Sequence, residues 1–290
     1  MSVSGTQRVS RREFLRWGVR GTVGAVILSH LCPSEGDAAE ATPEPLVGGL
    51  RLGLQSYSLR RFSFAECLER VKELDLRYLE VFPGHLPLTT NPDQRAAIRD
   101  QLARYQVRVL AYGVVGFGAE EAKNRAVFEF AKAVGIPCLS ADPAPASFAS
   151  LDRLVEEFGI NIAIHNHGPG HRYATEENLL QALEGHHERI GVCLDTGHLA
   201  RAGGDSVRLI RRLKNRLYGV HLKDVNAEKH DVVIGTGILP IRDILQALRE
   251  VKFQGCLALE YELQPQAPLP GIRQSLDFIR RTLTQLAAAR

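Results

Sequence analysis

Short apolar runs alternate with amphipathic helical patterns from about residue 50 onward, and this alternation is the feature that most restricts the fold. It is typical of parallel β-strands that are joined by crossover helices. Several runs are apolar throughout, as expected for strands that are covered on both faces. The eight strand candidates are residues 50–57, 78–82, 107–112, 136–141, 160–166, 190–195, 217–222 and 256–261.

The segments between these candidates have the spacing of amphipathic helices. Apolar residues recur on one helical face after the first candidate, at Phe64, Cys67, Leu68, Val71 and Leu74. Pro92 and Pro240 stand where they can open helices. Eight such units in about 250 residues predict the α/β class and a single-domain (β/α)8 TIM barrel. A doubly wound open sheet is disfavoured, because no glycine-rich phosphate loop follows the first strand candidate.

Polar side chains collect at the carboxyl ends of the strand candidates, where TIM barrels have their active sites. Most histidines and several acids of the chain therefore converge on one mouth of the predicted barrel. In chain order these residues are Gln55, Tyr57, Glu80, His165, His167, Asp195, His198, His221, Lys223, Asp224, Glu260 and Glu262.

Three His, one Asp and one Glu approaching a common point can coordinate a divalent metal through nitrogen and oxygen. Such a donor set suits Mn, Co, Zn or Mg, and the sequence leaves the metal identity open. Each residue also has an ordinary structural interpretation. His165 or His167 could be a hydrogen-bonded core histidine, and Asp195 could cap the next helix. His221 could pair only with Asp224, and Glu260 could be a rim carboxylate. Taken as a set, they predict one metal site.

Five motifs resemble those of the xylose isomerase-like TIM-barrel family, and the resemblance extends over nearly all of the chain after residue 41. They are Ile164-His165-Asn166-His167-Gly168, Leu194-Asp195-Thr196-Gly197-His198, Val220-His221-Leu222-Lys223-Asp224, Gly235-Thr236-Gly237 and Leu259-Glu260. This family includes sugar phosphate isomerases, ketose 3-epimerases, hydroxypyruvate isomerase and inosose dehydratase. The resemblance therefore implies a metal-dependent enzyme that acts on a sugar or keto-sugar.

The resemblance also implies roles for individual residues. Asp195, His221 and Glu260 match metal ligands, and His165 takes the position of the fourth ligand. The ketose epimerases have a Glu at that fourth position, which also serves as one of their two acid–base carboxylates. Glu260 is then the expected catalytic carboxylate, with Glu80 or His230 as candidates for the second base. The substrate contacts expected at the mouth are Gln55, Tyr57, His167, His198, Lys223 and Asp224.

Two reactions fit this ligand set, because both begin with proton abstraction next to a carbonyl group. The first is isomerisation or epimerisation of a sugar through an enediolate. The second is elimination by a lyase or hydratase on keto-sugars or 3-keto-glycosides, similar to inosose dehydratase. A histidine in place of the second carboxylate leans toward the lyase. A non-catalytic sugar-binding barrel is the alternative from another class.

The N-terminal segment, residues 1–41, resembles a twin-arginine signal peptide. Arg11-Arg12 precedes Phe14-Leu15 and a moderately apolar stretch, and Ala39-Glu40-Ala41 offers a cleavage site. The mature chain is then residues 42–290, exported folded by the twin-arginine translocation machinery to the periplasm or the exterior. The apolar stretch is too short and too broken for a spanning helix, so no stable membrane anchor is expected.

The charge balance argues against a nucleic-acid partner. Residues 42–290 carry 31 Lys and Arg against 29 Asp and Glu, a formal charge of +2. So small a charge gives no strong field for attracting a phosphate backbone. Cys67, Cys138, Cys193 and Cys256 lack C-x-x-C spacing, so buried free thiols are expected. The sequence leaves the oligomeric state open, with a homo-oligomer as one option.

Overall fold

Eight parallel strands close into a barrel in the computed structural model, which describes residues 46–289. The predicted signal peptide lies outside the described residues. The barrel strands are β1 Arg51–Gln55, β2 Tyr78–Val81, β3 Arg108–Phe117, β4 Cys138–Pro143, β5 Asn161–His165, β6 Ile190–Asp195, β7 Leu217–Leu222 and β10 Cys256–Leu259. Around the barrel they follow the order β1-β10-β7-β6-β5-β4-β3-β2, so β1 pairs with both β2 and β10. This closure confirms the TIM barrel and excludes the open sheet.

Helices follow the strands and cover the outside of the barrel. They are α1 Phe64–Glu73, α2 Pro92–Tyr105, α3 Glu121–Val134, α4 Phe148–Phe158, α5 Glu176–Leu183, α6 Thr196–Arg201, α7 Ser206–Leu213, α8 Ile241–Glu250 and α9 Leu269–Ala288. The helix ends carry local signals that the sequence already shows. Ser63 forms a capping box with Glu66 at the start of α1, and Asn91 caps α2, whose first residue is Pro92.

The core is apolar between the helices and the barrel strands, and small side chains fill part of the barrel interior. Apolar faces of the helices pack on the outward side chains of the strands, and every residue of β6 is buried. This burial on both faces accounts for apolar strands without alternation. The barrel interior is narrow and contains small residues, among them Cys138, Ala163, Cys193 and Ala258. All four cysteines of the described part are buried free thiols, as the sequence predicts.

The strand register places the predicted site residues at one end of the barrel. Asp195 on β6 is directly beside His221 on β7, and His221 is beside Ala258 on β10. Because alternate residues of a strand face the same side, Glu260 follows Ala258 at the inward mouth. Strand β3 runs to Phe117, five residues beyond the predicted end at 112. Its additional residues form part of the wall of this mouth.

A small hairpin follows β7 and was not predicted. It consists of β8 Asp224–Val225 and β9 Asp231–Val232. The buried carboxylate of Asp224 organises the chain around it by accepting four backbone N–H bonds. The donors are Val225 (2.9 Å), Gly235 (3.0 Å), Gly237 (2.9 Å) and Leu239 (3.1 Å). These bonds use both oxygens of Asp224, so the expected substrate contact is corrected to a structural role.

Among residues 46–289, we find no helix with the length and apolar character needed to cross a lipid bilayer.

Candidate metal centre and its cavity

A cavity of about 380 Å³ opens at the carboxyl-terminal mouth of the barrel. One wall of the cavity is apolar and comes from the loops after β1 and β2 and from β3. The other wall is polar and comes from residues at the carboxyl ends of β5, β6, β7 and β10. The lining residues are Gln55, Tyr57, Phe82, Pro83, Gly113, Val114, His165, His167, His198, Lys223, Glu260 and Glu262. Seven of the predicted site residues therefore line one cavity.

The four predicted metal ligands meet at the floor of this cavity. His165, Asp195, His221 and Glu260 each offer a ligand atom, and these atoms all lie within 4.8 Å of one another. His165 Nε2 is 3.0 Å from His221 Nδ1 and 3.7 Å from Asp195 Oδ2. His221 Nδ1 is 3.2 Å from Glu260 Oε2. Two imidazole nitrogens and two carboxylate oxygens thus point at one small volume.

The chemical state of these residues fits a divalent metal. Burial, together with the neighbouring His221 and His167, holds the pKa of His165 well below its ordinary value, so its nitrogen lone pair is free to bind. Burial opposes ionisation of Glu260, but Lys223 and His221 hold its pKa well below the usual range. Asp195 Oδ2 is fully buried and makes no hydrogen bond, although the Lys223 ammonium lies 3.3 Å away. A buried carboxylate oxygen without a hydrogen bond is costly, and a metal cation beside it would reduce that cost.

His221 is the one ligand whose charge opposes metal binding. Burial disfavours its charged form, yet Cys193, Glu80 and Glu260 raise its pKa well above the ordinary value. A cation at Nδ1 would therefore have to displace a proton, which makes binding pH-dependent.

Asp195 combines the two roles that the sequence left open. Its Oδ1 accepts a 2.7 Å bond from the backbone N–H of His198 and caps α6. Asn166 fixes the Asp195 backbone by donating to its carbonyl at 2.9 Å and accepting from its N–H at 2.8 Å. The cap uses only one carboxylate oxygen, so Oδ2 stays directed at the cluster.

Lys223 is a buried cation beside the cluster. Its Nζ lies 3.0 Å from Glu260 Oε2 and 3.3 Å from Asp195 Oδ2, and it also pairs with Glu262. Burial alone would lower the pKa of Lys223, but Asp195, Glu260 and Glu262 hold it well above the ordinary value. The side chain is therefore an ammonium that balances carboxylates, and it is not a free amine for Schiff-base chemistry.

Histidines form one side of the cavity. The ring centroid of His167 lies 4.6 Å from that of His165, 5.6 Å from that of His198 and 4.4 Å from that of His171. The buried His167 Nδ1 has no hydrogen-bond partner, which leaves it available to a ligand. His171 continues the row toward the surface and pairs with Asp142 at 3.4 Å.

Two predicted bases are not where proton transfer would require them. Glu80 is fully buried and does not line the cavity; its Oε1 lies 2.9 Å from His221 Nε2, on the far side of that ring. His230 is exposed in the loop between β8 and β9 and does not line the cavity either. The expectation that one of them is the second base is therefore corrected, since neither faces the cavity.

Several cavity residues were missed by the sequence analysis. Phe82 and Pro83 follow β2, and Gly113 and Val114 lie in the part of β3 beyond its predicted end. Apolar loop residues give no chemical signal, so the sequence could not single them out. Glu262 was noticed at the end of the last strand but received no role.

Comparison with known proteins places the chain among relatives of this architecture. The model of the family described as "Xylose isomerase-like TIM barrel" matches residues 68–282. The chain belongs to this family. An inosose dehydratase of Lacticaseibacillus casei is 25% identical over 226 residues, which cover 68% of this chain and 74% of that protein.

Two solved structures are similar to this xylose isomerase-like barrel. An uncharacterized protein from Parabacteroides distasonis has a TM-score of 0.65 and 26% identity, covering 80% of this chain and 99% of that one. A D-psicose 3-epimerase from Clostridium cellulolyticum has a TM-score of 0.64 and 15% identity, covering 81% and 99%. The epimerase likeness shows the fold alone. Family members commonly use a divalent metal.

Removing the ammonium of Lys223 is predicted to destabilise the metal-free protein. A Lys223→Met variant leaves the buried Asp195 and Glu260 without their shared cation, and breaking such a pair costs about 3–5 kcal/mol. The free energy of unfolding, measured with urea at pH 7 in the presence of a chelator, should fall by about that amount. The matched control is Lys72→Met on the exposed face of α1. Equal losses in the two variants would contradict the proposed charge balance.

Proposed function

We propose that this protein is a divalent-metal-dependent sugar isomerase or epimerase that works by proton abstraction next to a carbonyl group. The observation that carries the proposal is the cluster of His165, Asp195, His221 and Glu260 at the floor of an open cavity. A divalent ion held by these residues would polarise the substrate's carbonyl group as a Lewis acid. N/O ligation suits Mn, Co, Zn or Mg.

Glu260 is the proposed proton-transfer group. It belongs to the ligand cluster and also lines the cavity, so one of its oxygens can face a bound substrate. Lys223 keeps the carboxylate ionised, which a base requires, and holds it through a 3.0 Å ion pair. Glu262 pairs with the same ammonium. His167 and His198 stand on the same side of the cavity and can bind substrate hydroxyl groups.

A lyase that acts on keto-sugars or 3-keto-glycosides is the second candidate. It is favoured by His165, because Glu260 is then the one carboxylate of the described residues that both joins the cluster and lines the cavity. Epimerisation with a carboxylate on each face of the carbon needs two such groups, whereas elimination can begin with one. The similarity to the inosose dehydratase of L. casei supports the same candidate.

The charges around the cavity favour an uncharged substrate. Lys223 is the one Lys or Arg side chain of the described residues that lines the cavity, and three carboxylates surround it. Arg60, near the rim, donates to the carbonyls of Tyr57 (3.1 Å) and Glu262 (2.8 Å). A phosphate group would meet no uncommitted cation here, so a free sugar or glycoside fits better than a sugar phosphate.

Metal content and proton exchange test the proposal together. Residues 42–290 should contain about one divalent ion per chain by elemental mass spectrometry, and Asp195→Asn should lose it while keeping the helix cap. The control is His230→Ala, which changes an exposed histidine outside the cluster. If the wild-type protein neither contains nor acquires Mn, Co, Zn or Mg, the proposed mechanism is wrong.

Isotope exchange then identifies the reaction. With a panel of keto-sugars and 3-keto-glycosides in D₂O, the wild-type protein should incorporate deuterium next to the carbonyl. Glu260→Gln should slow the exchange by at least about 10²-fold, because general-base catalysis contributes roughly 10²–10⁴-fold. A rearranged sugar as product identifies an isomerase or epimerase, and an unsaturated or cleaved product identifies a lyase. Binding without exchange would support the non-catalytic sugar-binding alternative.

We further propose that the protein is exported folded to the periplasm or beyond, by way of Arg11-Arg12 in the segment 1–41. Export after folding suits a metal site whose ligands come from four separate strands, since metal binding and folding are coupled. Replacing both arginines by lysine should leave the precursor in the cytoplasm in cell fractionation. Normal export of this variant would show that another signal is used.

A further inference from the structure

The imidazole of His221 has a different acidic partner on each side. Its Nδ1 faces the ligand cluster, 3.0 Å from His165 Nε2 and 3.2 Å from Glu260 Oε2. Its Nε2 faces the barrel interior, where Glu80 Oε1 lies 2.9 Å away. Both His221 and Glu80 are almost completely excluded from solvent. The ring therefore connects the metal centre to a carboxyl group that no substrate can reach.

Glu80 has few other partners in its surroundings. Around it lie the thiols of Cys138, Cys193 and Cys256, whose pKa values are all raised, chiefly by burial. Neither oxygen of Glu80 makes a hydrogen bond of good geometry, although the short contact with His221 remains. Burial of a carboxyl group in such an interior is costly and would normally be avoided. Its short polar contact is with the ring nitrogen of His221, and the thiol of Cys193 lies within 4.8 Å.

A metal-bound histidine generally donates its second ring N–H to a carboxylate or carbonyl group, and this contact fixes the tautomer and the orientation of the ring. Gln55 also approaches His221 Nε2, but at 3.5 Å, and its Oε1 already accepts from the N–H of Tyr57. Strand register holds Glu80 in place, because Glu80 on β2 is paired with Gln55 on β1. The backbone thus delivers the carboxyl group to the rear of the ring.

We infer that Glu80 is a positioning residue for the metal centre: by accepting the Nε2–H of His221, it directs Nδ1 at the metal. This inference rests on the metal site of the proposed function. The sequence alone suggested that Glu80 is a base, but Glu80 does not line the cavity. Positioning His221 is a role that its buried place allows. Glu80 then acts on the substrate only through His221.

A second cation site is the competing explanation. Glu80, Cys193 and His221 offer ligand atoms within 4.8 Å of one another, so they form another group that could bind an ion. That arrangement would need His221 to bridge two ions and would need a thiolate at Cys193. Positioning predicts one ion per chain, whereas a second site predicts two, with one of them dependent on Cys193.

Cobalt binding separates these explanations. Metal-free wild-type protein, Glu80→Ala and Glu80→Gln would be titrated with Co²⁺ in competition with a chelator, and the cobalt absorption bands recorded. We expect Glu80→Ala to weaken cobalt affinity by about 10–100-fold, the usual effect of losing such a partner. Glu80→Gln, which keeps an acceptor oxygen, should recover part of the affinity. Both variants should bind at most one ion.

The control is Ser140→Ala. Ser140 is also a fully buried side chain, and it lies outside the ligand cluster. This variant should bind cobalt within about twofold of wild type, and urea unfolding of each metal-free variant would verify that the barrel remains folded.

Three results would overturn the inference. Unchanged cobalt affinity in a folded Glu80→Ala protein would do so while leaving the proposed function intact. Two bound ions in the wild type, with one lost in both Glu80→Ala and Cys193→Ala, would establish the second site instead. A wild-type protein that binds no cobalt would overturn the inference and the proposed metal-dependent function together.

Discussion

The cluster of candidate metal ligands depends on the pairing of β6, β7 and β10. Asp195, His221 and Glu260 are separated by dozens of residues in sequence, but the parallel register of these strands brings their side chains to one depth of the barrel. Closure by β1 and β2 then adds Gln55 and Glu80 from the opposite side. Because every strand runs in the same direction, their carboxyl ends form a single mouth. A one-residue shift in the register of one strand would turn its side chains to the other face of the sheet and remove its ligand from the cluster.

Charge compensation at this mouth follows from that geometry. Asp195, Glu260 and Glu262 surround the ammonium of Lys223, and Glu260 also contacts the imidazole of His221, whose pKa is raised. Three carboxylates thus share two cationic side chains. The neutral His165 adds no positive charge, because burial and its neighbours keep its pKa low. A divalent ion would supply the missing charge and satisfy Asp195 Oδ2. The carboxylates that make this site costly to bury without a metal therefore also favour the binding of a cation.

Other polar residues of the barrel have purely structural partners. Asp224 accepts hydrogen bonds from four backbone N–H groups. His186 pairs with Asp152 at 2.8 Å, far from the mouth in the segment after α5. In contrast, polar atoms of Asp195, His165, His167 and Glu80 are buried without good hydrogen bonds. His167 lines the cavity, so its unpartnered nitrogen is available to a ligand.

The sequence by itself determined the barrel and most of its polar mouth. Apolar runs, helical stripes and residues such as Asp195 and His221 at strand ends follow local rules of periodicity, which need no knowledge of distant contacts. Only the tertiary structure decided what each group faces. Glu80 and Glu260 both look like strand-end acids in the sequence, yet Glu80 lies behind His221 and Glu260 lines the cavity. Asp224 is one residue from Lys223, yet it binds backbone instead of the cluster. Orientation depends on barrel closure and strand register, which are set by contacts between residues far apart in the chain.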